Sequence, residues 1–378
     1  MKIPFNKPYY SGREIFTLVR AAVSGHISGN GIFTKKCHRF FEREFGFKKS
    51  LLTSSCTDAL EMTAILSEIK PGDEVIMPSF TFMSTANAFL LRGAVIRFAD
   101  TLPDVPNIDP AGIEALINQS TKAIVVVHYS GIACDMDAIM NIARKHNLMV
   151  IEDAAHAIGS YYKGKVLGSI GQFGTFSFHE TKNIISGEGG MLSINDETYS
   201  ARAEIIWEKG TNRAAFYRGE VDKYGWVDLG SSFLPSEMVS AFLFAQLSAF
   251  KRIQKKRINA WKSYYKLLKP LEDSGKIRLP VIPYYAHVNG NMFYILAKNE
   301  DERNSLLDFL KSQDIHAVFH YLPLHQSPYF INKHDGRELP NTVNFSECIL
   351  RLPFYTAINQ SKIKRVCKAV NRFYSRPV

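Results

Sequence analysis

Cysteine is scarce: five residues, at 37, 56, 134, 348 and 367, an odd number with neither a CxxC pair nor a metal-binding spacing to histidine. That excludes a disulfide framework and a zinc module, and it fits reduced thiols in a reducing compartment. Long apolar runs are also missing. No segment offers the ~18 uninterrupted apolar residues of a membrane span, and Met1-Lys2-Ile3-Pro4-Phe5 turns polar within a few residues, unlike a secretory leader. The chain is expected to be cytoplasmic and free of membrane partners, and the Asn-Gln-Ser sequons at Asn118 and Asn359 then have no glycosylation machinery to meet. Repeats and low-complexity stretches are absent too. With 46% apolar and 22% charged residues, the chain has the composition of a protein folded throughout.

At 378 residues the chain exceeds one hydrophobic core, so two domains are expected, 1–245 and 246–378. The net charge of +10 raises the question of a nucleic-acid partner. Its distribution argues against one: acids are interleaved, as in Glu300-Asp-Glu-Arg303, and the densest basic run, Lys251-Arg-Ile-Gln-Lys-Lys-Arg257, reads as the solvated face of a long helix.

Between residues 50 and 195, β-branched runs alternate with amphipathic stretches: Glu74–Met77, Val95–Phe98, Ala123–Val127, Leu148–Ile151, Gly174–Phe178 and Met191–Ile194. Such runs predict buried, mostly parallel strands with crossover helices, one of them over Asp135–Lys145, and hence an α/β sheet. After Pro235 a single long helix is expected to about Lys266. A strand at Phe293–Leu296, a helix at Glu302–Ser312, a strand at Ile315–Phe319 and a last helix at Lys362–Phe373 follow. Ligands of open α/β sheets sit beyond the carboxyl ends of the strands. The residues in those places are polar: Pro78-Ser-Phe-Thr-Phe82, His128-Tyr-Ser-Gly131, Glu152-Asp153 and His179-Glu-Thr-Lys182.

Asp153 ends a strand and Lys182 follows the next, just before the glycine-rich Gly187-Glu-Gly-Gly190. Earlier, Thr53-Ser-Ser-Cys-Thr57 opens a helix with hydroxyls and free N–H groups, suited to a phosphate dianion or to plain capping. Pyridoxal phosphate (PLP) needs these three things: a lysine amine for its Schiff base, a carboxylate that keeps its ring nitrogen protonated, and a helix start for its phosphate.

Together with Phe176-Ser-Phe178, these segments occur in an order that resembles the DegT/DnrJ/StrS sugar aminotransferases. The similarity extends from Ser28-Gly-Asn-Gly31 to His320-Tyr-Leu-Pro-Leu-His325. The resemblance implies the aspartate aminotransferase-like fold (fold type I), with a large mostly parallel sheet domain and a smaller C-terminal α/β domain, in a homodimer with shared active sites. It makes Lys182 the lysine that carries PLP and Asp153 the partner of the ring nitrogen, with Phe82 stacked on the ring and His156 near the phenolic oxygen. Ser55, Cys56, Thr57 and Ser177 would hold the phosphate. Many members reach the neighbouring subunit's phosphate with the asparagine of a Gly-x-Asn-x-Arg segment; this chain has Gly230-Ser-Ser-Phe-Leu234, which leaves Ser232 in that place.

His128-Tyr-Ser-Gly131, Glu208-Lys-Gly-Thr-Asn-Arg213 and Asp222-Lys-Tyr224 are most similar to the WecE (RffA) branch. That likeness implies amino transfer from L-glutamate to dTDP-4-keto-6-deoxy-D-glucose, giving dTDP-4-amino-4,6-dideoxy-D-galactose for a lipopolysaccharide or other surface polysaccharide. Lys209, Arg213, Arg218 and Lys223 are candidate contacts for the substrate pyrophosphate, and His320 and His325 for the sugar. The competing readings are amination at C3, a related sugar dehydration that replaces the Schiff-base lysine with histidine, and a non-catalytic nucleic-acid-binding or regulatory relative. Lys182, intact three residues after His179, speaks against dehydration, and with Asp153 and Ser177 against a non-catalytic role.

Overall fold

The computed structural model describes residues 2–375. Seven strands build the main sheet: β1 (Lys49–Thr53), β2 (Glu74–Pro78), β3 (Val95–Ala99), β4 (Thr121–Val127), β5 (Met149–Asp153), β8 (Phe173–Ser177) and β9 (Gly190–Ile194). They lie in the order β1-β9-β8-β5-β4-β2-β3, with β9 antiparallel to both neighbours and the other pairs parallel. A small sheet joins β6 (Tyr161–Tyr162) to β7 (Lys165–Val166) and β10 (Ala286–His287), and β11 (Tyr294–Leu296) pairs with β12 (Ile349–Arg351).

The sheet is covered on both faces, as buried parallel strands require. Alternation along each strand feeds two cores: Ile76, Ile124, Val126 and Val150 face one side, and Val75, Val125 and Ile151 the other. The second side packs against α3 (Cys56–Leu66) and α4 (Met83–Leu90). The first receives α2 (Ile32–Phe45), α6 (Met136–His146) and the end of α9 (Glu237–Leu247). A third core gathers α10 (Phe250–Asp273), α11 (Glu300–Ser312), α13 (Gln360–Tyr374), β11 and β12.

Three sequence expectations change: the long helix after Pro235, the strand at Ile315–Phe319 and the exposure of Arg257. The long helix after Pro235 is two helices, interrupted at Ser248-Ala249. The division expected at residue 245 falls in the last turn of α9, while α10 itself contributes Phe250 and Ile253 to the sheet core and Tyr264 and Leu268 to the third core. Ile315–Phe319 forms no strand. It bridges once to Ile3 and once to Arg351, on different neighbours, and so never builds a ladder. Arg257, read as part of a solvated face, is 2% exposed and donates to the carbonyls of Gly290 and Asn291.

One residue shows how the sheet is tied beneath the site. Glu152 lies on the first face of β5, fully buried, and accepts from the main-chain N–H groups of Gly168 (2.7 Å), Ile170 (2.6 Å) and Gly171 (2.8 Å). His128 Nδ1 accepts from the Cys134 N–H at 3.2 Å, so Nε2 carries the proton and donates to Glu152 at 2.9 Å. Replacing Glu152 with alanine orphans these donors, each costing about 1–3 kcal/mol. The expected outcome is a loss of ~3 kcal/mol or more, measured as a lower midpoint in urea unfolding.

Candidate active site

The carboxyl ends of β4, β5 and β8, with the starts of α3 and α4, surround a cavity of about 540 Å³. Asp153, His156, Ser177, Lys182, Ser55, Cys56, Thr57, Phe82 and His320 all line it. The structure thus brings together the expected residues of the cofactor shell except Ser232.

Asp153 is 5% exposed and on the second face of β5, opposite Glu152. Its Oδ2 accepts from the Thr85 hydroxyl at 2.7 Å and its Oδ1 from the Ala155 N–H at 3.1 Å. Burial raises its pKa, while those two hydrogen bonds and the Lys182 charge pull the other way. Each oxygen retains a lone pair for a further donor, and a cationic ring N–H is the partner that offsets the desolvation.

Lys182 is held by its backbone, whose N–H donates to the His179 carbonyl at 2.9 Å. Burial lowers its pKa to about 8, partly opposed by the neighbouring Cys56 and Asp153. Near neutral pH part of the amine is therefore unprotonated, which a nucleophile or proton acceptor needs.

At the phosphate end, the Ser55 side chain caps α3 by accepting from the Asp58 N–H at 3.1 Å, and the Ala59 N–H closes the first turn on the Ser55 carbonyl at 3.3 Å. The N–H groups of Cys56 and Thr57 precede that bond and remain available to a ligand. Gly190 of β9 makes room: a Cβ there would lie 2.3 Å from the Ser55 carbonyl oxygen and 2.5 Å from the Cys56 nitrogen. Only glycine lets the sheet run this close to a helix start. Ser177 pairs with Gly190 in the sheet and adds its hydroxyl to the cavity wall.

His156 Nδ1 accepts from the Ser130 N–H at 3.4 Å, and burial holds its pKa well below the ordinary value. The ring is therefore neutral with a proton on Nε2, suited to donate to an anionic oxygen. The half-exposed Phe82 ring faces the cavity and lies 6.2 Å from that of Tyr321. A flat ring, a dianion at one end, a cationic nitrogen near Asp153 and an oxygen near His156 all find matching groups, so these residues fit PLP.

Sequence reasoning missed Thr85, Tyr321, Glu188 and Arg351. Arg351, from β12, donates to the His320 ring and, with burial, keeps that histidine neutral, its pKa lowered to about 3. Thr85 sits one turn into α4 and gives no signal of its own in the sequence.

Other expected contacts lie elsewhere. His325 accepts from or donates to the Ser79 hydroxyl at 2.7 Å and lines a separate cavity of about 500 Å³. Lys209, Arg213, Arg218 and Ser232 line a larger cleft of about 970 Å³, distinct from that of Lys182. Within it Arg218 already pairs with Glu204 at 2.9 Å and Glu220 at 2.7 Å. Lys223 lines neither the Lys182 cavity nor this cleft.

A family profile described as the DegT/DnrJ/EryC1/StrS aminotransferase family matches residues 10–371. The spore coat polysaccharide biosynthesis protein SpsC of Bacillus subtilis is 32% identical over 97% of this chain and 96% of its own length. Among solved structures, DesV of S. venezuelae superposes with a TM-score of 0.90 at 26% identity, covering 100% of both chains. An aminotransferase from Psychrobacter cryohalolentis gives 0.92 at 25% identity, covering 98% of this chain and 99% of its own.

Thr85→Val removes a hydrogen bond to a charged group, worth about 1.5–3 kcal/mol. A roughly tenfold or greater fall in turnover is expected in steady-state kinetics, with the fold unchanged by circular dichroism.

Proposed function

The chain belongs to the DegT/DnrJ/EryC1/StrS aminotransferase family, whose members are PLP-dependent sugar aminotransferases, and from that premise we propose its particular reaction. The amino donor is L-glutamate and the acceptor is dTDP-4-keto-6-deoxy-D-glucose, giving dTDP-4-amino-4,6-dideoxy-D-galactose. The observation that supports this reading is the convergence of Lys182, Asp153, His156 and the α3 start on one cavity, in a chain whose segments at 128–131, 208–213 and 222–224 resemble the WecE branch. The likeness to a protein of polysaccharide biosynthesis is in keeping with an amino sugar bound for a surface polymer.

Bound PLP supplies an electron sink for the pair left behind when a proton leaves the carbon that carries the nitrogen. In this chain Lys182 Nζ would hold the cofactor and, once free, would carry the proton. Asp153 would keep a proton on the ring nitrogen, and His156 would donate from Nε2 to the phenolic oxygen. Phe82 would cover the ring, and Ser55, Cys56, Thr57 and Ser177 would hold the phosphate. His320 and Tyr321 form the wall left for the sugar.

Two copies share their sites in this proposal. Ile15, Phe16, Val19 and Val23 of α1 (Glu14–Ala22) and its end are exposed, as are Trp226 and Val227, and a second copy would cover such an apolar surface. That arrangement is also how Lys209, Arg213, Arg218 and Ser232 would approach a neighbouring cavity and the pyrophosphate of its sugar nucleotide.

Because Lys182 must be unprotonated to take up PLP, the attachment rate for apo protein is expected to rise with pH and level off above about 8, followed by absorbance. Lys182→Ala should show no such absorbance change at any pH. Incubation with dTDP-4-keto-6-deoxyglucose and glutamate, with NMR of the product, should show an axial amine at C4. An amine at C3 would overturn the regiochemistry, and no amino sugar at all would overturn the substrate.

A further inference from the structure

The residue after Lys182 enters no step above, yet its side chain is among the most enclosed polar groups of the chain. Asn183 is 1% exposed. Its Oδ1 accepts from Asn291 Nδ2 at 3.0 Å, and its Nδ2 donates to Gln254 Oε1 at 3.3 Å and to the Asn289 carbonyl at 3.4 Å. Asn289, fully buried, donates from Nδ2 to the carbonyls of His156 (2.8 Å) and Ile158 (2.9 Å). Its N–H reaches the Ser160 hydroxyl at 3.1 Å. The loop of His156 and the loop of Lys182 therefore meet the same three residues, Asn289-Gly290-Asn291.

Those three residues are themselves anchored outside the sheet. Arg257 of α10 donates to the carbonyls of Gly290 and Asn291, and to Thr356 Oγ1 at 3.1 Å. Gly290 has φ +62°, and a Cβ there would come within 3.0 Å of the Arg257 main chain, so the clip lies directly on the helix. Gly131 has a matching role on the other side, since a Cβ there would meet Asn289 Oδ1 at 2.5 Å.

We propose that Asn289-Gly290-Asn291, through Asn183, is the positioning element that fixes Lys182 relative to His156 and seals both loops against water. Among the described residues no side-chain hydrogen bond restrains Lys182 Nζ, so its place is set by the backbone that Asn183 pins. Hydrogen bonds in such a buried amide web strengthen one another, and a member left unpaired is costly; Asn289 Oδ1 is already buried without a partner among the described residues, so the web bears further losses poorly. The inference rests on the assignment of Lys182 and His156 to the PLP site, not on the identity of the sugar.

A clean readout exists because Asn183, Gln254, Asn289 and Asn291 are uncharged. The charged groups that act on Lys182 are Asp153 and Arg351; burial keeps the neighbouring Cys56 thiol and the His156 and His320 rings neutral, and none of these groups is altered by removing an amide. Any change in the titration of Lys182 then reports solvation and position. The experiment compares apo wild type, Asn291→Ala and Asn183→Ser with Tyr264→Phe, which removes a buried hydrogen bond to the Pro353 carbonyl in the third core while keeping the ring and every amide of the clip. In each, the rate of PLP attachment is measured against pH and thermal stability is recorded. The clip variants should move the pH at which attachment levels off upward from about 8, by roughly half a unit or more. Tyr264→Phe should lose stability and leave that pH in place. Should Asn291→Ala not fold, Asn183→Ser carries the test. An unmoved profile in the folded clip variants, or an equal shift in Tyr264→Phe, would overturn the proposal. Failure to aminate the dTDP sugar would leave this result untouched.

Discussion

A carboxylate that water hardly reaches sets the terms for this site. Asp153 ends a strand in the middle of a buried sheet, and its charge is tolerable only with several partners at once. Thr85 and the Ala155 N–H supply two of them. The remaining lone pairs call for a cation, and the same burial that makes Asp153 costly lowers the pKa of Lys182, so that its amine is available near neutral pH. One desolvated corner thereby produces both an anion in want of a cationic partner and an amine that gives up its proton more readily than an ordinary lysine. The tight sheet around it depends on Glu152, one residue earlier and on the opposite face, whose cage of N–H donors holds the loop at 168–171.

The phosphate end follows from geometry more than from charge. β9 runs antiparallel between β1 and β8, and Gly190 at its start lets it lie against the first turn of α3. A helix can offer its leading N–H groups to a dianion only if nothing fills the space before them. The glycine-rich return after Lys182 therefore shapes the space before the α3 start as much as it shapes the lysine's loop.

The parts of this that a reader of the sequence could see were those written locally. A β-branched run followed by a polar residue marks a strand end, and Asp153, Ser177 and Lys182 were visible that way, as was the Ser55 cap. The large sheet was legible for the same reason, whereas the fold type I architecture followed from the family resemblance. Thr85, Tyr321 and Arg351 were not, because each becomes functional only through a contact with a segment far away in the chain. His325 shows the converse. It has the right neighbours in sequence, but its side chain turns to Ser79 and a different cavity. Arg257 was misread because a basic run looks solvated whichever of its members faces inward. Helical spacing places Ile253, Gln254 and Arg257 on one buried side, while Lys251 points to Glu44 on the surface.

The 24 residues of α10 span about 36 Å and lie along two cores in turn, with Phe250 and Ile253 in one, and Tyr264 and Leu268 in the other. Arg257 stands buried between these two sets of contacts and from there holds the carbonyls of Gly290 and Asn291. The strip of chain that both site loops lean on is thus moored to the stretch of α10 that passes from one core to the other.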